Sequence, residues 1–421
     1  MPLRYAFIDM NSYFASVEQQ TTPSLRGRPI AIVPMADVNT TCCIAASKEA
    51  KKLGIKTGTP VWQARVLCPD IVLVPAKHEK YIAAHEAIVK AVNTCLPVAQ
   101  VKSIDEMVCK LIGDERKPEN AIALAHKIKR AIRERAGECL TSSIGIGPNS
   151  LLAKLGTDLQ KPDGLTVIRE EDLPHRLYGI SLTDFCGIGK QMEKRFHRLG
   201  VTTVEQMLRL TPAHLSQVWG SKVHGWRWWY LLRGHDVPDK ETTRRTVGHS
   251  HILPPEKRNE VQARGVLMRL VHKAAARMRK IEYCAGAVVV HVSYLGEEHT
   301  GWGGGGWAES VGLPHCQDTP ALLEAAALLW SRKPAGKILK IGVTFMDLVP
   351  AKGVTPSLFD MDHKAQKLSE AMDQANRTFG PNAVYFGSIV GNTKGAPMRI
   401  SFTHIPDEET ESAESLRQYG W

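Results

Sequence analysis

Gln100–Leu111, QVKSIDEMVCKL, reads as a buried β-strand interrupted by two adjacent carboxylates, Asp105 and Glu106. Val101, Ile104, Met107, Val108 and Leu111 suit an apolar interior. Two acids in such a run are costly unless something cationic meets them. Neighbouring side chains on a regular strand point to opposite faces, so the pair can serve one site only at a strand end or bend. A bend is therefore expected at Ser103–Glu106. A second apolar stretch, YAFIDM (Tyr5–Met10), also carries a carboxylate near its end, Asp9. Three carboxylates on neighbouring strands form a hard-oxygen site suited to Mg²⁺. Taken separately, each has a plainer reading: Asp9 as a turn or cap residue, Asp105-Glu106 as a solvated hairpin tip.

A chain of 421 residues suggests two to four domains, and 43% hydrophobic residues supply material for their cores. No apolar run is long enough for a membrane span, and MPLRYAFIDMN lacks the pattern of a signal peptide, so a cytoplasmic protein is expected. The nine cysteines are scattered without a C-x-x-C, which points to reduced thiols and no structural zinc. The formal net charge of +11 favours a polyanionic partner, nucleic acid above all, although charge of this size also serves simple solubility.

Over the first 165 residues strands alternate with amphipathic helices, an α/β or α+β pattern with neither a Rossmann fingerprint nor a P-loop. The next 70 or so look helical. Residues 236–246 are polar and read as a linker, and 247–349 form a separate α+β unit. There the helix Ala263–Lys280 packs Leu267, Leu270, Val271, Ala274 and Met278. Two strands follow, AGAVVVHVSYL and KILKIGVTFMDLV, the second alternating Leu339, Ile341, Val343 and Phe345 with Lys340, Gly342 and Thr344. Residues 350–421 look like a tail with little core apart from AVYFGSIV. The expected class is α+β, multidomain.

FIDMNSYFASVEQ, AASKEAKKLGIKTG, SIDE, SSIGIGPNSLLAKLGTDLQKPDG and CGIG occur in that order and resemble the Y-family translesion DNA polymerases of the bacterial UmuC/DinB type, from about Tyr5 to about Phe359. The resemblance implies a right-hand fold. The palm would be 1–12 and 78–166, the fingers 13–77, a helical thumb with a helix-hairpin-helix 167–235, the linker 236–246, an α+β little finger 247–349 and the tail 350–421. It also assigns Asp9, Asp105 and Glu106, with the Met10 carbonyl, as catalytic ligands of two Mg²⁺ ions, with Mn²⁺ able to substitute. Phe14 would be the steric gate against a ribose 2′-hydroxyl, with Tyr13 beside it against the sugar.

For the triphosphate the family usually carries S-Y-E-A-R, where this chain has Ser47, Lys48, Glu49, Ala50 and Lys51. Lys51 converts a bidentate clamp into a point charge. Lys48 replaces a tyrosine and either takes over its phosphate contact or lies on a solvated helix face. Lys161 matches the lysine on the incoming triphosphate. CGIGKQMEKRFHRLG resembles a helix-hairpin-helix whose Gly187, Gly189 and Lys190 would meet a DNA phosphate; an ordinary helix–helix turn is the alternative. In the little finger the resemblance favours Lys340 and Thr344 on the sheet for DNA, and leaves Arg269, Lys273 and Arg277 as a solvated outer face. Trp302 and Trp307, around a glycine run, could stack on bases or simply mark a hairpin tip. TPSLFD resembles a sliding-clamp-binding peptide, with Leu358 and Phe359 as the apolar pair and Thr355 in place of the usual glutamine; the pair could also fold back onto the protein.

The function so implied is low-fidelity, template-directed DNA polymerase activity in translesion synthesis, DNA repair and the SOS response. Expected partners are primer-template DNA, dNTP and the sliding clamp. No membrane is expected; the protein would be a monomer in the cytoplasm, at the nucleoid. The alternative is a catalytically weak or inactive DNA-binding scaffold of a mutagenesis complex. A two-metal nuclease is a third class, in which Phe14 and Lys161 would have no role.

Overall fold

The structure, a computed structural model, describes residues 2–36, 38–39, 41–238, 244–295, 306–354, 364–393, 395–396 and 400. It divides into two compact units, one holding the described residues up to 238 and the other those from 244 to 396.

The first unit begins β1 (Tyr5–Met10), α1 (Tyr13–Thr21), β2 (Ile30–Val33), β3 (Ala45–Ala46), α2 (Lys48–Lys52), α3 (Val61–Leu67), β4 (Val72–Pro75) and α4 (His78–Asn93). It continues with β5 (Val98–Val101), β6 (Glu106–Lys110), α5 (Pro118–Arg135), β7 (Ser142–Gly147), α6 (Ser150–Leu159) and β8 (Leu165–Val167). Four helices close it: α7 (Lys190–Arg198), α8 (Val204–Arg209), α9 (Pro212–Trp219) and α10 (Lys222–Leu231). Five strands form one sheet in the order β5-β6-β1-β7-β8. β1 is its centre, antiparallel to β6 and β7, and its residues Ala6–Met10 are all buried. Cover on both faces explains why YAFIDM is a continuous apolar run rather than an alternating one.

QVKSIDEMVCKL is not one strand but the end of β5, a turn and β6. The backbone N–H groups of Lys102 and Ser103 donate to the Glu106 carbonyl at 2.9 and 3.2 Å, closing the turn. The expected bend is therefore present, and β6 starts at Glu106. Val101 is 39% exposed on the outer strand, against the expectation that it would be buried.

Helix α6 lies directly on β7. A Cβ on Gly145 would sit 2.0 Å from the Ala153 carbonyl oxygen, so only glycine allows this approach. The smaller sheet, β3-β2-β4, packs with α2 and α3 around Ala31, Cys43, Ala46, Ile55 and Ala64. Helices α7–α10 surround Phe185, Phe196, Met207, Leu215 and Trp228. Asp236, expected at the head of a linker, accepts a hydrogen bond from Tyr5 Oη at 2.9 Å and lies 3.5 Å from Arg4, so it is tied to β1.

The second unit contains β9 (Val247–Ile252), α11 (Glu260–Lys280), β10 (Tyr283–Tyr294), β11 (Gly306–Cys316), α12 (Thr319–Arg332), β12 (Ile338–Pro350) and α13 (Lys364–Phe379). The sheet order is β11-β10-β12-β9, all antiparallel. Val288, Val290, Val292, Ile341, Val343 and Phe345 share a core with Leu267, Leu270, Val271, Ala274 and Met278 of α11, as the alternation and helical spacing require.

Three expectations change here. The segment expected as a tail with little core apart from AVYFGSIV carries helix α13 as well, while Ile389 of AVYFGSIV is fully buried in this core. Arg279 fastens α13 in place with two bonds to the Asp373 carboxylate, at 2.6 and 2.9 Å. Arg269 and Lys273 are 8% and 3% exposed, not on a solvated outer face, because α13 and the residues after it cover that side of α11. Trp307 pairs with Val292 in β11 and packs on the core, so it is not a free hairpin tip. Trp302 lies outside the described residues.

Candidate active site

Register brings the acids together. Asp9 on β1 is directly opposite Glu106 on β6, and the Met10 N–H donates to the Asp105 carbonyl at 2.9 Å. The turn before β6 lets Asp105 join them. Asp9, Met10, Asp105 and Glu106 line one cavity of about 900 Å³ together with Tyr13, Phe14, Lys48, Lys51, Lys154 and Lys161. Burial raises the Asp105 pKa, and the charges of Asp9 and Glu106 raise it further against a hydrogen bond from Ser103. That bond, Ser103 Oγ to Asp105 Oδ1, is 2.6 Å long.

Lysines balance the acids. Lys154 Nζ lies 2.5 Å from Asp9, 2.9 Å from Glu106 and 3.3 Å from Asp158. Lys161 Nζ lies 2.9 Å from Asp9 and 2.7 Å from Asp158. Burial alone would lower the Lys154 pKa, but Asp9 and Glu106 outweigh it and hold the ammonium well above its ordinary value. Lys51 is shifted the other way, lowered by burial and then by Lys161. Among the described residues, no three acidic, histidine or cysteine side chains already converge as a ligand set. The donor set nevertheless fits a hard divalent cation: three carboxylates and a main-chain carbonyl, with ammonium groups drawn among them.

Phe14 stacks on Tyr81 of α4, with centroids 4.3 Å apart and planes at 14°. Tyr13 Oη donates to the Tyr81 carbonyl at 2.6 Å. Behind them Tyr81 Oη donates to Glu18 Oε1 at 3.1 Å, and Lys80 meets Glu18 Oε2 at 2.7 Å. The two aromatics at the cavity wall are thus held by a buried ion pair.

Ser47 does not belong to the cavity. It is fully buried, and its Oγ caps α2 by accepting from the Ala50 N–H at 3.2 Å and also accepts from Ile30 N–H. Its hydroxyl is spent on folding the segment that presents Lys48 and Lys51. Sequence reasoning also missed Lys154, Asp158 and Tyr81. Lys154 and Asp158 stand four apart on α6, but such a pair reads as surface until Gly145 is known to bring the helix onto the sheet.

Elsewhere, Gly187 has φ +103° and Gly189 is the N-cap of α7, followed by an exposed Lys190. Lys340 and Thr344 share the sheet face opposite the core positions Ile341, Val343 and Phe345. Leu358 and Phe359 lie outside the described residues.

Residues 8–158 match the impB/mucB/samB family and residues 244–358 match that family's C-terminal domain. DNA polymerase IV of Moorella thermoacetica is 33% identical over 390 residues, covering 90% of this chain and 94% of that protein. The chain is a member of the impB/mucB/samB family, the bacterial Y-family DNA polymerases. DNA polymerase IV 1 of Bacillus subtilis is 27% identical over 407 residues, covering 94% of this chain and 96% of that protein. A Y-family polymerase chimera of Dbh and Dpo4 shares the fold with TM-score 0.68 at 24% identity, over 82% of this chain and 99% of that one. An insertion ternary complex of Dbh DNA polymerase gives TM-score 0.56 over the same shares. The fold is that of a Y-family polymerase, with palm, fingers, thumb and little finger. Among the described residues no helix is long and apolar enough to cross a membrane.

Proposed function

We propose that this Y-family protein extends a primer along template DNA by nucleotidyl transfer, as a low-fidelity translesion polymerase, with Asp9, Asp105 and Glu106 at its catalytic centre. The observation that carries this reading is the register of Asp9 against Glu106, with Asp105 on the turn beside them and Lys154 and Lys161 across from them.

The three carboxylates and the Met10 carbonyl would hold two Mg²⁺ ions, for which Mn²⁺ can substitute. Bound Mg²⁺ supplies a nucleophile activated at neutral pH and neutralises the leaving pyrophosphate. The chain's own residues do the rest. Lys161 and Lys51 meet the triphosphate, with Lys48 on the same wall. Phe14, fixed against Tyr81, lies under the deoxyribose and excludes a 2′-hydroxyl, and Tyr13 packs beside the sugar. Lys154 keeps Asp9 and Glu106 apart from each other's charge and oriented to the cavity. Gly187, Gly189 and Lys190 of the thumb, and Lys340 and Thr344 of the little finger, provide backbone and side-chain contacts to DNA phosphates.

Leu358 and Phe359 are read as a sliding-clamp contact from sequence alone. The protein acts as a monomer in the cytoplasm, at the nucleoid.

Primer extension with Asp105→Ala and Glu106→Ala tests the assignment. Each should lose at least about a thousandfold in rate, because electrostatic stabilisation of the reacting oxygens is lost. Wild-type extension by both variants sinks it.

A further inference from the structure

On the side of α11 away from the sheet lies a cavity of about 610 Å³, walled by α11 and by α13 with the residues after it. The α13 wall is outside residues 244–358, the part that matches the family's C-terminal domain. Arg269 is 8% exposed and lines this cavity, and its Nε meets no acceptor among the described residues. Burial pushes its pKa down to about 10 with no carboxylate opposing the shift, so the guanidinium stays charged at neutral pH. One turn on, Lys273 is 3% exposed and donates to the Ala396 carbonyl at 3.2 Å. His272, held neutral by burial and by Arg269 and Arg279, adds no charge, and its Nε2 has no hydrogen-bond partner among the described residues. Of the acids of the wall, Asp373 is paired with Arg279 and Glu282 lies 3.6 Å from Lys352, while Glu370 accepts from the neutral Gln366 amide and keeps its charge. Lys280 and Arg377 extend the positive lining to an exposed rim, where Tyr385 is 40% exposed.

A buried cation of this kind is costly unless an anion pairs with it. A planar guanidinium beside an ammonium suits a phosphate, which can accept from both. The volume is that of a small-molecule site and excludes duplex DNA. Tyr385 offers a ring on which a base could stack. We propose that this cavity binds the phosphate group of a small diffusible phosphorylated molecule, seated on Arg269 and Lys273 between α11 and α13.

The test is calorimetric titration of the full chain, without divalent metal, using inorganic phosphate, pyrophosphate and deoxyadenosine monophosphate as probes. Adenosine and the peptide DEETESAE serve as controls. The same titrations on Arg269→Met and on the exposed-rim variant Arg377→Glu remove the background from the polymerase centre, which both variants keep. Arg269→Met should weaken the phosphate probes roughly ten- to a hundredfold, the loss of a charge-assisted pair. Its melting temperature in phosphate-free buffer should equal or exceed wild type, since an unpaired buried charge is gone, and primer extension should persist. Arg377→Glu should weaken binding severalfold whatever the fate of the buried variant. Tighter binding of the nucleotide than of phosphate or pyrophosphate makes the ligand a nucleotide; equal binding makes it the inorganic ion. Phosphate-probe binding that neither variant changes, absence of such binding in wild type, or stronger binding of either control overturns the proposal.

Discussion

Lys80→Met should break the support behind the nucleotide cavity. Lys80 and Glu18 form an ion pair of 2.7 Å whose side chains are 10% and 3% exposed. Removing one partner of such a pair costs about 3–5 kcal/mol, because the other charge stays buried. The stranded carboxylate can escape by taking a proton, which at pH 7 costs an ordinary carboxyl about 4 kcal/mol, so the two limits agree. For a unit of this size that is a fall in Tm of roughly 6–20 °C. The proton route gives a signature: the deficit should shrink by about 1.4 kcal/mol for each pH unit below 7. Glu18→Gln combined with Lys80→Met should recover most of the loss, since no charge remains to be stranded. Urea or thermal unfolding at pH 7 and pH 5 measures all of this. Ribonucleotide incorporation read in the same variants reports on Phe14, which rests on Tyr81 and through it on Glu18. A Lys80→Met deficit below about 1 kcal/mol at pH 7, or one that does not vary with pH, would refute the reasoning.

Three more outcomes are expected. Lys154→Met should lower the melting temperature in metal-free buffer and enlarge the stabilisation by Mg²⁺, because Asp9 and Glu106 lose their common counter-ion; equal Mg²⁺ effects in wild type and variant would count against the site. Gly145→Ala should destabilise the first unit by more than about 3 kcal/mol and reduce primer extension, since the added carbon meets the Ala153 carbonyl and must push α6 away; circular-dichroism melts decide it. In the second unit, burial together with Arg269 and Arg279 holds His272 down to about 4 from 6.5. The unfolded chain therefore binds the extra proton between those values, and stability should be lost as pH falls from 6.5 towards 4, by about 3 kcal/mol in all. His272→Gln should flatten that part of the pH profile in phosphate-free buffer, and an unchanged profile would contradict the burial.

Much of the five-stranded sheet was legible because its signals are local. YAFIDM is a continuous apolar run, as a central strand covered on both faces must be, and the bend at Ser103–Glu106 follows from two neighbouring acids having to serve one site. The strands of the second unit showed the period of two, and α11 the stripe of Leu267, Leu270, Val271, Ala274 and Met278. Where the readings went astray, a long-range contact had reassigned a residue. Ser47 is a polar residue beside two lysines, and nothing local shows that its hydroxyl is consumed by Ala50 and Ile30. Arg269 and Lys273 look solvated until residues more than a hundred positions later close over that side of α11. Trp307 follows a glycine run, yet pairing with Val292 seats it on the core.

Thus the order and type of the acids, the apolar periods of the strands and helices, and the family's motif succession were properties of the sequence alone, because each depends on residues close in the chain. Tertiary structure decided the partners. It set Asp9 opposite Glu106 through strand register, brought Lys154 to both through the glycine contact of α6 with β7, and buried Arg269 with no counter-ion among the described residues. Such pairings depend on which surfaces meet, and the cost of leaving a buried charge unmatched makes them consequential.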